Sequence, residues 1–158
     1  MKFSDKIKAN YYLAAFSITK IPLLWFCRPK VINISSKSIE IKIPLKRRTK
    51  NHLNSMYFGA LSVGADITGG FLAMMCIQKT KKKVALIFKD FKADFLKRAE
   101  GDVHFICNQG DDITNLVHKT IQSGKRENMI VYIDAIVPSI SSEVVAKFEL
   151  TLSLKDKT

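Results

Sequence analysis

Residues 55–76 read SMYFGALSVGADITGGFLAMMC, a long apolar stretch of mostly small residues with one carboxylate, Asp66, near its centre. Glycine inside a helix costs roughly 1 kcal/mol relative to alanine, yet four of the chain's seven glycines lie here. The sequence therefore predicts a helix that another group approaches closely, with an acid on the approached face. At helical spacing, the stripe that forms this face consists of Ser55, Gly59, Ser62, Asp66 and Gly69.

The chain has 158 residues, of which 47% are hydrophobic and 25% charged, as in an ordinary globular protein with a real core. This length predicts a single domain over 1–158, in which the helical segment 1–28 packs on the remainder. The 26 basic and 14 acidic residues give a formal net charge of +12. Such a charge predicts attraction to an anion. Nucleic acid, anionic lipid and a phosphorylated small molecule all satisfy that expectation.

The cysteines Cys27, Cys76 and Cys107 are odd in number and widely spaced, without a C-x-x-C motif or a Cys/His cluster. This pattern indicates neither a disulfide framework nor a metal site. All three lie in apolar sequence, which predicts reduced core residues of a cytoplasmic protein.

Residues 12–27 are mostly apolar, but Lys20 and Pro22 interrupt them. A bilayer span needs about 20 apolar residues, so this run predicts no integral membrane segment. No small-residue cleavage site follows it. We expect an amphipathic helix over Asp5–Thr19 that packs on the domain, with a peripheral membrane contact as the alternative.

Strand and helix patterns alternate along the rest of the chain. A half-buried strand with clean period two is predicted over Ile39, Glu40, Ile41, Lys42 and Ile43. Further strands are predicted at 31–34, 84–95, 103–107, 129–137 and 148–154. The long helix is expected from about Asn54 to Gln78, and a short helix near 111–123. This order predicts an α+β fold, an antiparallel sheet wrapped around one long central helix.

The residues around the long helix resemble those of the hotdog-fold acyl-CoA thioesterases. In the phenylacetyl-CoA thioesterase group, an asparagine precedes the central helix, a His-Gly-Gly-like element opens it, and an aspartate follows on it. Asn51, Tyr57-Phe-Gly59 and Asp66 match these positions, with the same spacing from asparagine to aspartate.

Over roughly residues 18–155, the chain resembles more closely an uncharacterised thioesterase-like branch of this superfamily, a domain of unknown function. The segments that carry this resemblance are Ile21-Pro-Leu-Leu-Trp-Phe, Asn51-His-Leu-Asn-Ser-Met-Tyr-Phe-Gly-Ala-Leu, Phe88-Lys-Asp-Phe and Phe148-Glu-Leu-Thr-Leu-Ser-Leu.

The resemblance implies a hotdog fold and hydrolysis of an acyl-CoA or acyl-carrier thioester by a homodimer or a dimer of dimers. Coenzyme A enters only as part of the substrate, and no separate cofactor is implied. In the family, the residue matched by Asp66 is a general base or nucleophile. The residue matched by Asn51 orients the water or the substrate, usually from the other subunit. A backbone N–H at the helix start polarises the thioester oxygen.

Two residues depart from the family pattern. Tyr57 stands where the family has histidine, and Phe58 stands where it has a glycine. A bulky Phe58 narrows the site or moves the oxyanion contact to Gly59. These departures make a non-catalytic acyl- or CoA-binding hotdog protein the alternative function.

Plainer roles remain open for the same residues. Asp66 could pair with a basic residue across a dimer, and Asn51 could cap the helix together with Asn54 or Ser55. His104 and His118 lie on different predicted elements and show no partner pattern.

Two basic segments flank the long helix. The loop Lys46–Lys50 contains Arg47 and Arg48, and the segment Lys79–Lys83 contains Lys82 and Lys83. They predict either solvated loop charge or contacts with the phosphates of coenzyme A. We do not expect nucleic-acid binding, because the sequence has no basic helix with interleaved aromatic residues and no known reader motif.

Overall fold

The computed structural model describes residues 3–157, and the side chains of residues 5–157. The first two residues and Thr158 of the predicted domain lie outside this range. The described helices are α1 (Phe3–Thr19), α2 (Pro22–Cys27), α3 (Phe58–Thr80) and α4 (Gly110–Ser123). The described strands are β1 (Lys30–Ile34), β2 (Ile39–Ile43), β3 (Val84–Phe95), β4 (Val103–Cys107), β5 (Arg126–Val137) and β6 (Ser141–Asp156).

The six strands form one antiparallel sheet in the order β1-β2-β4-β5-β6-β3. Helix α3 contacts five of them, β2 to β6, and therefore lies across the concave face of the sheet. This is the sheet-around-helix arrangement of the hotdog fold, so the predicted α+β fold is confirmed. The short helix predicted near 111–123 is also present, as α4.

Helix α3 is apolar on all sides because the sheet encloses most of it. The length of α3, and a mean hydropathy of 1.6 over an 18-residue stretch of it, would suit a bilayer span. However, 67% of that 18-residue stretch is buried inside the fold. It therefore occupies the place of a core helix. The largest fully buried side chains around it are Phe71, Phe105 and Phe148.

The glycines of α3 admit the chain's own aromatic rings. A Cβ on Gly64 would collide with the ring of Phe105, and a Cβ on Gly70 would lie 3.5 Å from the ring of Phe88. The close approach predicted from the glycines is therefore made, at these two positions, by the sheet.

Helix α3 begins at Phe58, so the predicted start near Asn54 is wrong. The side chain of Asn51 explains the difference, because its Oδ1 accepts the backbone N–H groups of Leu53 at 2.9 Å and Ser55 at 3.2 Å. Asn54 adopts a left-handed conformation with φ of 61°. Local side-chain bonds of this kind compete with helix formation. Ser55 lies in the resulting turn and does not belong to the helical stripe.

The N-terminal segment forms two helices. Pro22 begins α2, where its missing N–H and fixed φ suit a first helical turn. Asn10 joins α1 to β1, since its Nδ2 donates to the Val31 carbonyl at 3.0 Å and its Oδ1 accepts the Val31 N–H at 2.9 Å.

The last two strands are longer than predicted. β5 begins at Arg126 and β6 begins at Ser141, and their pairing extends from Arg126–Lys155 to Val137–Ser141. The first residues of β6 are exposed, so this end of the strand lacks the apolar alternation on which the sequence prediction depended.

Candidate functional site

Asp66 lies in the middle of α3 and is half-buried. Its carboxylate faces a groove of about 340 Å³. The other residues that line this groove are Phe16, Ile21, Ile67, Gly70, Met74, Leu86, Ile87 and Phe88. The carboxylate therefore sits among apolar side chains supplied by α1, α3, β3 and the turn before α2.

No hydrogen bond or ion pair reaches the Asp66 carboxylate from the side chains and backbone that the structure describes. Burial raises the pKa of Asp66, because desolvation disfavours the charged form. An unpaired, partly buried carboxylate is costly. Groups of this kind are concentrated at functional sites.

A second groove, of about 590 Å³, lies at the start of α3. The Asn51 side chain stabilises the turn beside it, since Nδ2 donates to Ser55 Oγ at 3.1 Å while Oδ1 accepts backbone N–H groups. This groove is lined by Asn51, His52, Ser55, Met56, Tyr57, Phe58, Leu61, Phe95, Leu96, Lys97, Arg98 and Ala99. The single chain thus brings Asn51, Tyr57 and Phe58 together and leaves Asp66 in a different groove.

The N-terminus of α3 has no side-chain cap. Tyr57 is the N-cap residue and makes no capping hydrogen bond, so the alternative that Asn51, Asn54 or Ser55 caps this helix is wrong. The first backbone N–H groups, including those of Phe58 and Gly59, have no acceptor within the helix. Together with the helix dipole they form a partial positive charge at this end.

Aromatic rings lie beside the start of α3. The Tyr57 ring folds over Gly59, with Cε1 2.6 Å from the point that a Cβ on this glycine would occupy. Phe58 is 58% exposed, and its ring lies 4.7 Å from the Tyr57 ring and 6.5 Å from the Phe95 ring. The two residues that depart from the family pattern therefore form one wall of the Asn51 groove.

The two basic segments lie at opposite ends of α3. Arg47 and Arg48 are exposed, and Arg48 Nη1 donates to the Phe26 carbonyl at 3.4 Å. Lys82 and Lys83 are exposed immediately before β3. The 23 residues of α3 span about 34 Å at 1.5 Å each. Within the single chain, the two segments therefore form separate surfaces.

Other candidate nucleophiles are accounted for. Ser62 Oγ donates to the Phe58 carbonyl at 3.0 Å, as a serine within a helix commonly does. Cys27, Cys76 and Cys107 are buried and free, as predicted. Burial raises the pKa of both Cys27 and Cys107, which disfavours the reactive thiolate. Among the side chains of residues 5–157, no group of three or more His, Cys, Asp or Glu could hold a metal ion.

Sequence reasoning missed two sets of contacts. His104 does have a partner, since its Nδ1 lies 2.6 Å from Glu40 Oε1. Both residues occupy the half-exposed alternate positions of their strands, so strand periodicity could have placed them on one face. Phe16 and Ile21 line the Asp66 groove. No local signal could have identified them, because the contact joins segments far apart in the sequence.

The sequence and fold can be compared with known proteins. Residues 10–154 match the family described as Domain of unknown function (DUF4442). No curated protein matches the chain. A proposed thioesterase from Shewanella oneidensis is 15% identical, with a TM-score of 0.82 over 94% of this chain and 99% of that chain.

Two further structures are similar. PA5026 from Pseudomonas aeruginosa, a protein of unknown function named a probable thioesterase, is 20% identical with a TM-score of 0.77 over 95% of both chains. Thioesterase HI1161 from Haemophilus influenzae is 14% identical with a TM-score of 0.69 over 93% of this chain and 90% of that chain. At these identities the likeness shows the fold. The chain belongs to the DUF4442 family and adopts the hotdog fold.

Proposed function

We propose that the chain is a thioester hydrolase that acts on acyl-CoA, with Asp66 as general base or nucleophile. The observation that carries the proposal is a half-buried carboxylate, without a partner among the described residues, in an apolar groove on the central helix. The thioesterase names of structures with the same fold support this reaction class. The apolar lining suits an acyl chain.

The chemistry requires a base and an oxyanion site. A carboxylate with a raised pKa is a stronger base than an ordinary aspartate, and its pKa lies closer to neutral pH. As general base, Asp66 takes a proton from water, which attacks the thioester carbon. In a homodimer paired through β3, the oxyanion is stabilised by N–H groups at the start of the α3 helix of the other subunit, near its copies of Phe58 and Gly59. The C–S bond then breaks, and Asp66 returns its proton to the departing thiolate, which leaves as the free thiol while the acyl group leaves as the carboxylic acid.

A dimer paired through β3 would bring the Asp66 groove of one subunit next to the Asn51 groove of the other. Leu86, Ile87 and Phe88 at the start of β3 line the Asp66 groove, and Phe95 at its end lines the Asn51 groove. In an antiparallel pair of identical strands, the start of one strand lies beside the end of the other. A homodimer paired through β3 would therefore place Asp66 beside the partner's Asn51.

The free edge of β3 suits such pairing. β3 is 12 residues long, and among the described strands it pairs with β6 alone and forms one edge of the sheet. Ile87, Phe91 and Phe95 on this strand are 50%, 43% and 50% exposed. Long apolar edge strands are normally covered. A two-fold axis at the centre of β3 would make the contact isologous, and a dimer of dimers would keep the same pair.

Coenzyme A is the carrier that we propose, because its phosphates complement the basic segments. Lys82 and Lys83 immediately precede β3, so β3 pairing would direct them towards the end of the partner's β3. Ala99 follows that end, and its carbonyl accepts the Met56 N–H beside the Arg47 loop. One phosphorylated ligand could then meet basic side chains from both subunits. The free cysteines suit the cytoplasmic location that we propose.

The proposal is tested by free-thiol release from a panel of acyl-CoA esters. Asp66→Asn keeps the shape and removes the base, so the rate should fall by about 10² or more. Asp111→Asn, the same change on an exposed aspartate of α4, is the matched control and should retain the wild-type rate. Equal rates for wild type and a folded Asp66→Asn protein would refute the assignment.

Tyr57 and Phe58 favour a second candidate function, a hotdog protein that binds acyl groups or coenzyme A without hydrolysis. Their rings lie 4.7 Å apart at the start of α3, with Tyr57 folded over Gly59. In that case acyl-CoA should bind without thiol release. The double variant Tyr57→His/Phe58→Gly should then gain activity. Thiol release by the wild-type chain would exclude this alternative.

A further inference from the structure

Helix α1 carries apolar residues on two opposite faces. Ala9 and Leu13 are 3% and 1% exposed and pack on the sheet side, whereas Ile7, Tyr11 and Ile18 are 54%, 78% and 53% exposed. At 100° per residue, these three exposed residues fall within about 40° of one another on the helix. A surface helix normally presents polar residues on the face opposite the core. The outer face of α1 therefore lacks a cover.

Helix α2 extends this apolar surface. Leu23, Trp25 and Phe26 are 58%, 38% and 52% exposed, while Leu24 on the same short helix is buried. Ala14 of α1 and Trp25 of α2 line one groove, so the two helices lie beside each other. We define the α1–α2 surface as the exposed residues Ile7, Tyr11, Ile18, Leu23, Trp25 and Phe26.

The sequence that carries the α1–α2 surface is strongly basic. From residue 6 to residue 39 the sequence contains no acidic residue. The basic residues of this stretch are Lys6, Lys8, Lys20, Arg28, Lys30 and Lys37. These basic residues form the positive rim of the α1–α2 surface along the sequence, with Asp5 of α1 and Glu40 of β2 as its acidic neighbours in sequence and Asp66 in the adjoining groove.

Arginines flank the aromatic rings of α2. The guanidinium carbon of Arg28 lies 4.0 Å from the centre of the Trp25 ring, and that of Arg48 lies 5.8 Å from the centre of the Phe26 ring. Arginine can lay its apolar stem along such a surface and keep its charged head in a polar layer. At an interface between an apolar and a polar layer, the aromatic rings could thus enter the apolar layer while the guanidinium groups stay in the polar layer.

We propose that the α1–α2 surface docks peripherally on an anionic phospholipid bilayer. Segments that lie in a membrane interface combine Trp, Phe and Leu with Lys and Arg, and tryptophan and tyrosine favour the headgroup level. The positive rim complements the negative surface potential of anionic lipids. An acidic protein partner would match the charge but would not need a surface as apolar as this one. The proposal does not depend on thioesterase activity.

Trp25 is a direct probe, because it is the only tryptophan of the chain. The full-length protein is titrated with vesicles of phosphatidylcholine and phosphatidylglycerol in equal parts, and with vesicles of phosphatidylcholine alone. Trp25 emission should shift to the blue, and the protein should sediment, with the anionic vesicles. Raising the salt from about 0.05 M to about 0.5 M should weaken binding tenfold or more, because it screens the lipid charge.

Two variants separate the apolar contribution from a general effect of surface change. Ile18→Ser/Leu23→Ser removes two exposed apolar side chains and should weaken vesicle binding about tenfold or more. Ile130→Ser/Ile140→Ser makes a similar change at positions 45% and 62% exposed on β5 and the β5–β6 turn. This control should bind vesicles as the wild type does.

A third variant tests the charge. Lys20→Gln/Arg28→Gln should weaken binding to anionic vesicles at least tenfold, since each basic residue near such a surface is worth a factor of about five. Unshifted Trp25 emission with all the protein in the supernatant would overturn the proposal. So would an Ile18→Ser/Leu23→Ser protein that still binds vesicles but loses self-association in light scattering. The α1–α2 surface would then be covered by a second copy of the chain.

Discussion

Phe105 Cε1 lies 2.6 Å from the point that a Cβ on Gly64 would occupy. Phe105 belongs to β4 and is fully buried, so its ring has no free space to move into. The contact fixes how closely α3 approaches the sheet. Only glycine at position 64 permits this approach without a shift of the core.

Gly64→Ala should destabilise the fold. Alanine would gain about 1 kcal/mol of helix propensity, but overpacking of a core costs typically about 1–3 kcal/mol. We expect a net loss of up to roughly 2 kcal/mol in the free energy of unfolding, measured by urea denaturation.

Gly70→Ala is the matched control on the same helix. A Cβ there would meet the Phe88 ring at 3.5 Å, an ordinary van der Waals distance. This variant should be neutral or more stable by up to about 1 kcal/mol. A Gly64→Ala protein as stable as Gly70→Ala would contradict the close approach of Phe105.

Asp66 should reduce stability at neutral pH. Burial raises its pKa, so the folded state holds the proton more tightly than the unfolded chain does. The stability that this tighter proton binding contributes is present below the pKa of Asp66 in the unfolded chain. It is lost as pH rises through the pKa of Asp66 in the folded state. Asp66→Asn should therefore be more stable than wild type at pH 7. The difference should shrink towards about pH 4, near the ordinary pKa of aspartate.

Asp102 should have the opposite effect and increase stability at neutral pH. Partial burial acts to raise its pKa, but hydrogen bonds from Lys42 Nζ and the Leu45 N–H, both at 2.9 Å, outweigh this and lower the pKa. Asp102→Asn should lose stability at pH 7. Its deficit should diminish as pH falls through the folded pKa of the wild-type carboxyl. Urea midpoints across pH for both variants test the two signs, and matching pH profiles would contradict them.

The sequence could predict the central helix because its signal is long and local. A continuous apolar segment of this length, between strands of period two, is consistent with few other arrangements. The start of α3 could not be predicted, because it depends on whether the N–H groups of Leu53 and Ser55 donate to helical carbonyls or to a nearby side chain. The side chain of Asn51 supplies that acceptor and ends the turn before Phe58.

The candidate site was only partly accessible to sequence reasoning. The resemblance singled out Asn51 and Asp66, but their placement in separate grooves depends on where β3 lies in the sheet. Strand order is set by contacts between distant segments, which no local pattern records. For the same reason, the sequence could not predict that Phe16 lines the Asp66 groove, since α1 reaches this groove only in the folded chain.

The basic loop before α3 should affect binding of acyl-CoA more than turnover. Arg47→Gln/Arg48→Gln should raise KM and flatten its dependence on salt, with kcat nearly unchanged, because exposed charges act mainly on affinity and on-rate. Initial rates across acyl-CoA and salt concentrations measure both effects.

A control for this variant removes the same charge elsewhere. Lys37→Gln/Lys125→Gln changes two exposed lysines in other turns and should leave KM near the wild-type value. If Arg47→Gln/Arg48→Gln behaves like this control, the loop is solvated surface and takes no part in substrate binding.

If Asp66 and Asn51 of different subunits share one site, mixing two inactive variants should restore activity. In a β3-paired dimer, each site would use Asp66 of one protomer and Asn51 of the other. An Asp66→Asn protomer paired with an Asn51→Ala protomer would then contain one doubly altered site and one intact site. Neither parent dimer has an intact site.

Equal mixing with exchange of subunits should restore about one quarter of wild-type activity, because about half the dimers are mixed and each has one of two sites intact. Thiol release after unfolding and refolding the mixture measures this recovery. The control is each variant refolded alone, which should stay inactive. Light scattering must show a dimer for the wild type. A dimer whose mixed variants recover no activity would place Asp66 and Asn51 in independent sites.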